Sequence, residues 1–285
     1  MERTSSEYIL VVATRTEEEQ LEAATVELGL PFTKRHGEAG DYYDLGKIGG
    51  DRGNRVVAIK VDMGPFGFRG SASSVIRHRV AFSAQGVICL GMAFGIDAAT
   101  QDIGDVLVSQ ALLPYDNRDV VCDNGFVARV VARVRGEPAH RYDYSRVGVF
   151  PAREALFRLF ERHHTIRPDG SRRVHVGSLL SGGSRVFCAG YRDRLVTEVR
   201  RDIVAATAKG EPRAMLPPII GGEMEGVGLL SASRKRSPSW IVVKGISDFA
   251  DGRGRASLPA RRDLACRNSA RFVLEALAAE NAGSP

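Results

Sequence analysis

Short apolar runs recur along this chain, and most are followed by a stretch carrying helix punctuation. YILVVAT (Tyr8 to Thr14), NRVVAIKVDM, GVICLGMA, IGDVLVSQALL, RRVHVGSLLSG, PPIIGGEM and SWIVVKGISDF read as strands. RTEEEQLEAATVELG reads as a helix. Thr16 is its N-cap, Glu17 to Glu19 fill its positive first turn, and Gly29 ends it. GFRGSASSVIRHRVAFSAQG, PAREALFRLFERHH with Pro151 in its first turn, EGVGLLSASRKR and Leu258 to Ala279 also read as helices. This alternation predicts an α/β fold with a parallel or mixed sheet. No internal repeat, linker or low-complexity tract interrupts it. The irregular polar stretch from Asp116 to Arg146 reads as a surface excursion, so one domain over residues 1–285 is expected.

Hydrophobic residues make up 44% of the chain, enough to bury a core, which excludes wholesale disorder. None of Cys89, Cys122, Cys188 and Cys266 forms a C-x-x-C pair, so no metal site is predicted. No run approaches the roughly 20 apolar residues of a membrane span. The polar start MERTSSEY, with six apolar residues after it, predicts no secretory signal, and a cytoplasmic setting is expected. Lys and Arg total 40 against 34 Asp and Glu, a net charge of +6, and 34 of the 40 are Arg. Arginine favours carboxylate and phosphate recognition. These basic residues are interspersed with acids rather than gathered in a tail, so no nucleic-acid partner is expected.

In α/β sheets ligands bind beyond the carboxyl ends of strands. Four such ends carry chemistry here. TRTEEEQ follows the first strand. GPFG and GMAFG follow later ones, and their glycines permit close backbone approach to a ligand, although neither matches a nucleotide fingerprint. GGEMEG sets two carboxylates around one Met. Ionised carboxylates only accept hydrogen bonds, which suits a vicinal diol. KGISDFAD puts Asp248 at the mouth of a buried strand, where a carboxyl can serve as a general acid.

In order and spacing, TEEEQ, GMAFG, IGDVLVS, GSLLSGGSRVF, GGEMEGVG and VKGISDFAD resemble the nucleoside phosphorylase and nucleosidase superfamily. That superfamily contains purine nucleoside phosphorylase, uridine phosphorylase and methylthioadenosine/S-adenosylhomocysteine nucleosidase. The resemblance runs from about Tyr8 to the final helix. It implies a three-layer α/β/α sandwich around a twisted mixed sheet, with no cofactor and no metal. It implies that Asp248 is the general acid at purine N7, placed by Ser247. Glu225 would hold the ribose diol, with Met224 beside it and Glu223 on the same turn. Glu19 matches the glutamate that activates the attacking water. Arg185, Val186 and Phe187 would border the base, and Met92, Ala93 and Gly95 would line the site from GMAFG.

Two departures bear on the reaction. Phosphorylases of this superfamily carry an Arg before the glycine-rich turn and a small hydroxyl residue after it. Here those places hold Leu90 and Met92, and a phosphate would need other cations such as Arg15 or Arg69. Lys244 stands where typical nucleosidases have Arg. The expected function is therefore hydrolysis of the N-glycosidic bond of a purine nucleoside or nucleotide by a homodimer or higher homo-oligomer. Phosphorolysis is one alternative. A nucleotide-cleaving or nucleotide-sensing effector module in bacterial defence or signalling is another.

Overall fold

The computed structural model describes residues 7–51, 53–122, 125–136, 140–165, 173–208, 216–231 and 239–282. Strand β1 (Tyr8–Val12) leads into helix α1 (Arg15–Glu27). Strands β2 (Thr33–Gly37) and β3 (Gly40–Ile48) form a hairpin before β4 (Asn54–Lys60). Helix α2 (Ser71–Phe82) precedes β5 (Gly86–Gly95) and β6 (Val106–Pro114). The excursion near 116–146 contains β7 (Asp119–Cys122), α3 (Phe126–Arg135) and β8 (His140–Asp143). There β7 and β8 pair as a separate two-stranded sheet. Then come β9 (Phe150–Pro151), α4 (Glu154–Thr165), β10 (Val174–Ser181) and α5 (Ala189–Ala208). Last are β11 (Ile219–Glu223), α6 (Gly226–Ser231), β12 (Ser239–Asp248) and α7 (Leu258–Ala282).

The main sheet runs β11-β10-β6-β12-β5-β1-β4-β3-β2, with β9 beside β6. It is mixed: β1 lies parallel to β4 and β5, while β12 is parallel to β5 and antiparallel to β6. A further pairing of β11 with β5, through Gly221–Gly95 and Gly222–Phe94, closes five strands into a ring. Helices cover both faces. α1, α4 and α7 pack over Leu10, Ile88, Ile241 and Phe272. α2 and α6 pack over Ile9, Val57, Val242 and Leu229. A third cluster joins α5 to β10 and β11 through Leu195, Val199, Leu180 and Ile219. The expected three-layer α/β architecture is the observed one.

Several local expectations change, and β3 and α5 are elements that the sequence pattern does not predict. Pro151 is not in a helix: it pairs with Ala111 in β9, and α4 starts at Glu154. Strand β2 was not expected, because all five of its residues are exposed and polar or Gly, leaving no apolar pattern to read. Helix α1 begins two residues earlier than expected, with Thr14 rather than Thr16 as its N-cap. That shift decides which glutamate enters the site. The end of the expected helix EGVGLLSASRKR, beyond Ser231, lies outside the described residues.

Candidate active site

The carboxyl ends of β1, β5, β11 and β12 converge on a cavity of about 790 Å³ counted out to its mouth. Glu17, Met92, Phe94, Val186, Phe187, Glu223, Met224, Glu225, Ser247, Asp248 and Arg262 are among its lining residues.

Glu17 enters through the cap of α1. The Thr14 hydroxyl accepts from the Glu17 N–H, and the Glu17 carboxylate accepts from the Thr14 N–H at 2.8 Å, a reciprocal capping box. The same carboxylate accepts from Ala13 N–H at 2.7 Å and Met92 N–H at 3.0 Å. Burial pushes this carboxyl above its ordinary range, and Glu225 adds to the shift against the pull of Lys244 and the backbone donors. Glu19 does not reach the cavity. Its side chain is 52% exposed and pairs with Arg15 at 2.6 Å on the outer face of α1. Of the two glutamates, the one that lines the cavity is Glu17, not the expected Glu19.

The two candidates arise because Thr14-Arg-Thr-Glu17 and Thr16-Glu-Glu-Glu19 are overlapping capping-box patterns. Helical periodicity separates them. Glu17 lies four residues before the buried Leu21, on the inward face, and Glu19 does not share that face.

Gly91 makes room for Glu17. Its φ is +131°, and a Cβ there would overlap the Glu17 carboxylate. Next along β5, Met92 and Phe94 turn towards the cavity. Ala93 lines it as well, but Gly95 does not: it is enclosed by Phe249, Gln101 and Ile246. Phe94, not singled out from the sequence, stands in its place.

The turn after β11 divides its two carboxylates. Glu223 caps α6, accepting from the Glu225 and Gly226 N–H groups. Glu225 accepts from Gly64 N–H at 3.0 Å and from the Lys244 ammonium. Lys244 is 1% exposed in its side chain and also lies 3.3 Å from Glu223. Burial disfavours its charge, but Cys89, Glu225, Glu223 and Glu17 together more than offset that and hold it well above the ordinary lysine value. One buried ammonium on β12 thus ties together both carboxylates of the turn after β11.

Asp248 sits where β12 bulges against β5: Ile246 opposes Ala93 and Asp248 opposes Phe94, so Ser247 is the extra residue. The Ser247 hydroxyl donates to Asp248 at 2.8 Å, and the Ala250 N–H donates to its other oxygen at 2.8 Å. Both carboxylate oxygens are thereby oriented. Val186 and Phe187 border this end, with the Arg185 guanidinium 5.0 Å over the Phe187 ring.

Leu90 is fully buried in the sheet. Arg15 is taken up by Glu19, and Arg69 by Asp62 at 3.4 Å; neither lines the cavity. Among the described residues no group of His, Cys, Asp and Glu is arranged to hold a metal ion, and no helix is long and apolar enough to cross a membrane.

A ten-stranded mixed sheet flanked by helices, with carboxylates at strand ends, agrees with a family match over almost the whole chain: the protein belongs to the phosphorylase superfamily, whose model matches residues 7–278. A death domain-containing ATP nucleosidase of Amphimedon queenslandica is 25% identical over 206 residues, 69% of this chain and 34% of that protein. The chain thus spans about a third of that relative's length. Among solved structures, the methylthioadenosine/S-adenosylhomocysteine nucleosidase of S. pneumoniae superposes with a TM-score of 0.66 at 17% identity, covering 96% of this chain and 99% of that one. The futalosine hydrolase of Helicobacter pylori gives 0.65 at 18% identity, covering 97% and 98%.

Proposed function

We propose that this protein hydrolyses the N-glycosidic bond of a purine nucleoside or nucleotide and releases the free base. The observation that carries the reading is that Glu17, Glu225 and Asp248 line one cavity, each with a distinct environment. In this reading the base lies between Phe187 and Asp248, and the ribose diol donates to Glu225. Asp248 delivers a proton to N7 as the N9–C1′ bond breaks and its electron pair goes to the base. Glu17 takes a proton from water whose oxygen bonds to C1′. A carboxyl held above its ordinary range by burial is a better acceptor for that proton. Positive charge grows on the sugar in an oxocarbenium-like transition state, as in glycoside hydrolysis, and the nearby carboxylates stabilise it.

Water is favoured over phosphate because the two positions flanking Gly91 hold Leu90 and Met92, whose side chains offer no phosphate ligand beside Glu17. The ATP nucleosidase and the nucleosidase folds among its relatives support hydrolysis. A homodimer and a cytoplasmic setting belong to the same proposal.

The test is a panel of adenosine, methylthioadenosine, S-adenosylhomocysteine, inosine, AMP and ATP, assayed by chromatography for free base with and without phosphate. Base release from at least one without phosphate is expected. No release under either condition overturns the reading, and release only with phosphate means phosphorolysis. Asp248→Asn should cut turnover at least ~100-fold, the scale of a lost general acid.

A further inference from the structure

A second cavity, about 650 Å³ with the open space at its mouth included, adjoins the first and shares Arg185, Phe187, Asp248 and Arg262 with it. Beyond them it is lined by Asp251, Gly252, Arg253 and Leu258. Three arginines thus border a space that the nucleoside reading leaves without an occupant.

Arg262 stands out among them. It is half-buried, lines both cavities, and forms no ion pair among the described residues. Its Nε is buried with no hydrogen-bond partner. Guanidinium nitrogens only donate, and the part of Arg262 that lines both cavities is open to an anion supplied from outside. Arg185 lies over the Phe187 ring and forms no ion pair among the described residues, and Arg253 reaches Asp251 loosely at 4.0 Å.

The helices place Arg262 on the sugar side. Arg267 of α7 donates to Gln20 of α1 at 3.3 Å, and Arg271 pairs with Glu27 at 3.8 Å, so α1 and α7 run side by side in the same direction. Five residues before Arg267, Arg262 comes level with the start of α1, where Thr14 and Thr16 line the first cavity next to Glu17. The positive ends of two helices add to the arginine charge there.

We propose that the second cavity is a subsite for the 5′-phosphate chain of a purine nucleotide, with Arg262 as its central contact. The substrate class is then nucleoside 5′-phosphates rather than nucleosides. The inference rests on the N-glycosidic reading of the first cavity. The phosphates take no part in bond breaking and leave with the sugar.

The experiment compares kcat/KM for adenosine, AMP, ADP and ATP, and for the guanine set, in the wild type and Arg262→Ala. In parallel, tripolyphosphate and ATP binding to both proteins is measured by calorimetry, with melting curves to check folding. Nucleotides should exceed the matching nucleoside by roughly tenfold or more, as charge-assisted hydrogen bonds allow. In Arg262→Ala that preference should fall by about the same factor, through KM, and tripolyphosphate binding should weaken with it. Arg262→Lys, which keeps the charge without the planar fork, should recover part of the preference, and it carries the test if the Ala variant does not fold. Equal or better cleavage of nucleosides overturns the subsite while leaving the hydrolytic reading standing. An equal loss on nucleosides and nucleotides in Arg262→Ala also overturns it, since that is a structural effect. If no base is released from any compound, the hydrolytic reading fails, and the calorimetry decides the subsite alone: tripolyphosphate binding that does not depend on Arg262 overturns it.

Discussion

Glu17 and Glu19 stand two residues apart on one helix turn and have opposite surroundings. The first accepts three backbone N–H bonds inside the cavity, and the second shares an exposed ion pair with Arg15. Glu17→Gln should lower kcat roughly 10²–10⁴-fold, the range for a lost general base, while Glu19→Gln should stay near wild type, as exposed pairs contribute little. Steady-state kinetics on the two variants separate the assignments. Glu225 accepts from Lys244 on one oxygen and Gly64 on the other, lines the cavity, and holds the ribose diol in the proposed function. Glu225→Gln should therefore cost ribose substrates more than their 2′-deoxy counterparts, and equal losses would remove its diol role.

At the level of elements, the site depends on how α1, β5 and β12 meet. Thr14 both starts α1 and orients Glu17, so Thr14→Ala should lower stability by about 1 kcal/mol, the usual worth of an N-cap, and also lower turnover. Gly91 gives the Glu17 carboxylate its space, and Gly91→Ala should impair both melting temperature and kcat because the residue has φ +131° and the new Cβ overlaps that carboxylate. Lys244 joins β12 to the turn after β11. Lys244→Met leaves buried Glu223 and Glu225 without their counter-charge and should destabilise by about 3–5 kcal/mol, measurable by denaturant unfolding.

For the molecule as a whole, pH is the most direct probe of the buried cluster. In the proposed reaction Glu17 must be ionised to take a proton from water, and burial raises its pKa. Activity should therefore fall with decreasing pH from above the ordinary glutamate value of about 4.3, and Glu17→Gln should abolish that acid limb in a kcat/KM profile. The +6 net charge of the chain also finds a local meaning. The first cavity carries Glu17, Glu223, Glu225 and Asp248 with Arg185 and Arg262, and the second carries Arg185, Arg253 and Arg262 with Asp248 and Asp251, so the balance of charge shifts towards positive from one to the other.

Much of this was legible in the sequence. Apolar runs and their punctuation predict the α/β architecture, because a strand buried between helices must be apolar along its length. GGEMEG and KGISDF mark Glu225 and Asp248, because each motif sits where a strand ends and a turn begins. Local cap chemistry does not choose between Thr14 and Thr16, although the four-residue spacing from Glu17 to the buried Leu21 does. Nor does local pattern reveal that Lys244 neutralises carboxylates from another strand, that Gly91 faces Glu17, or that Arg262 comes level with the start of α1. Those relations join residues from 19 to about 250 positions apart in the chain, and only the closing of the sheet and the packing of α7 beside α1 bring them within reach.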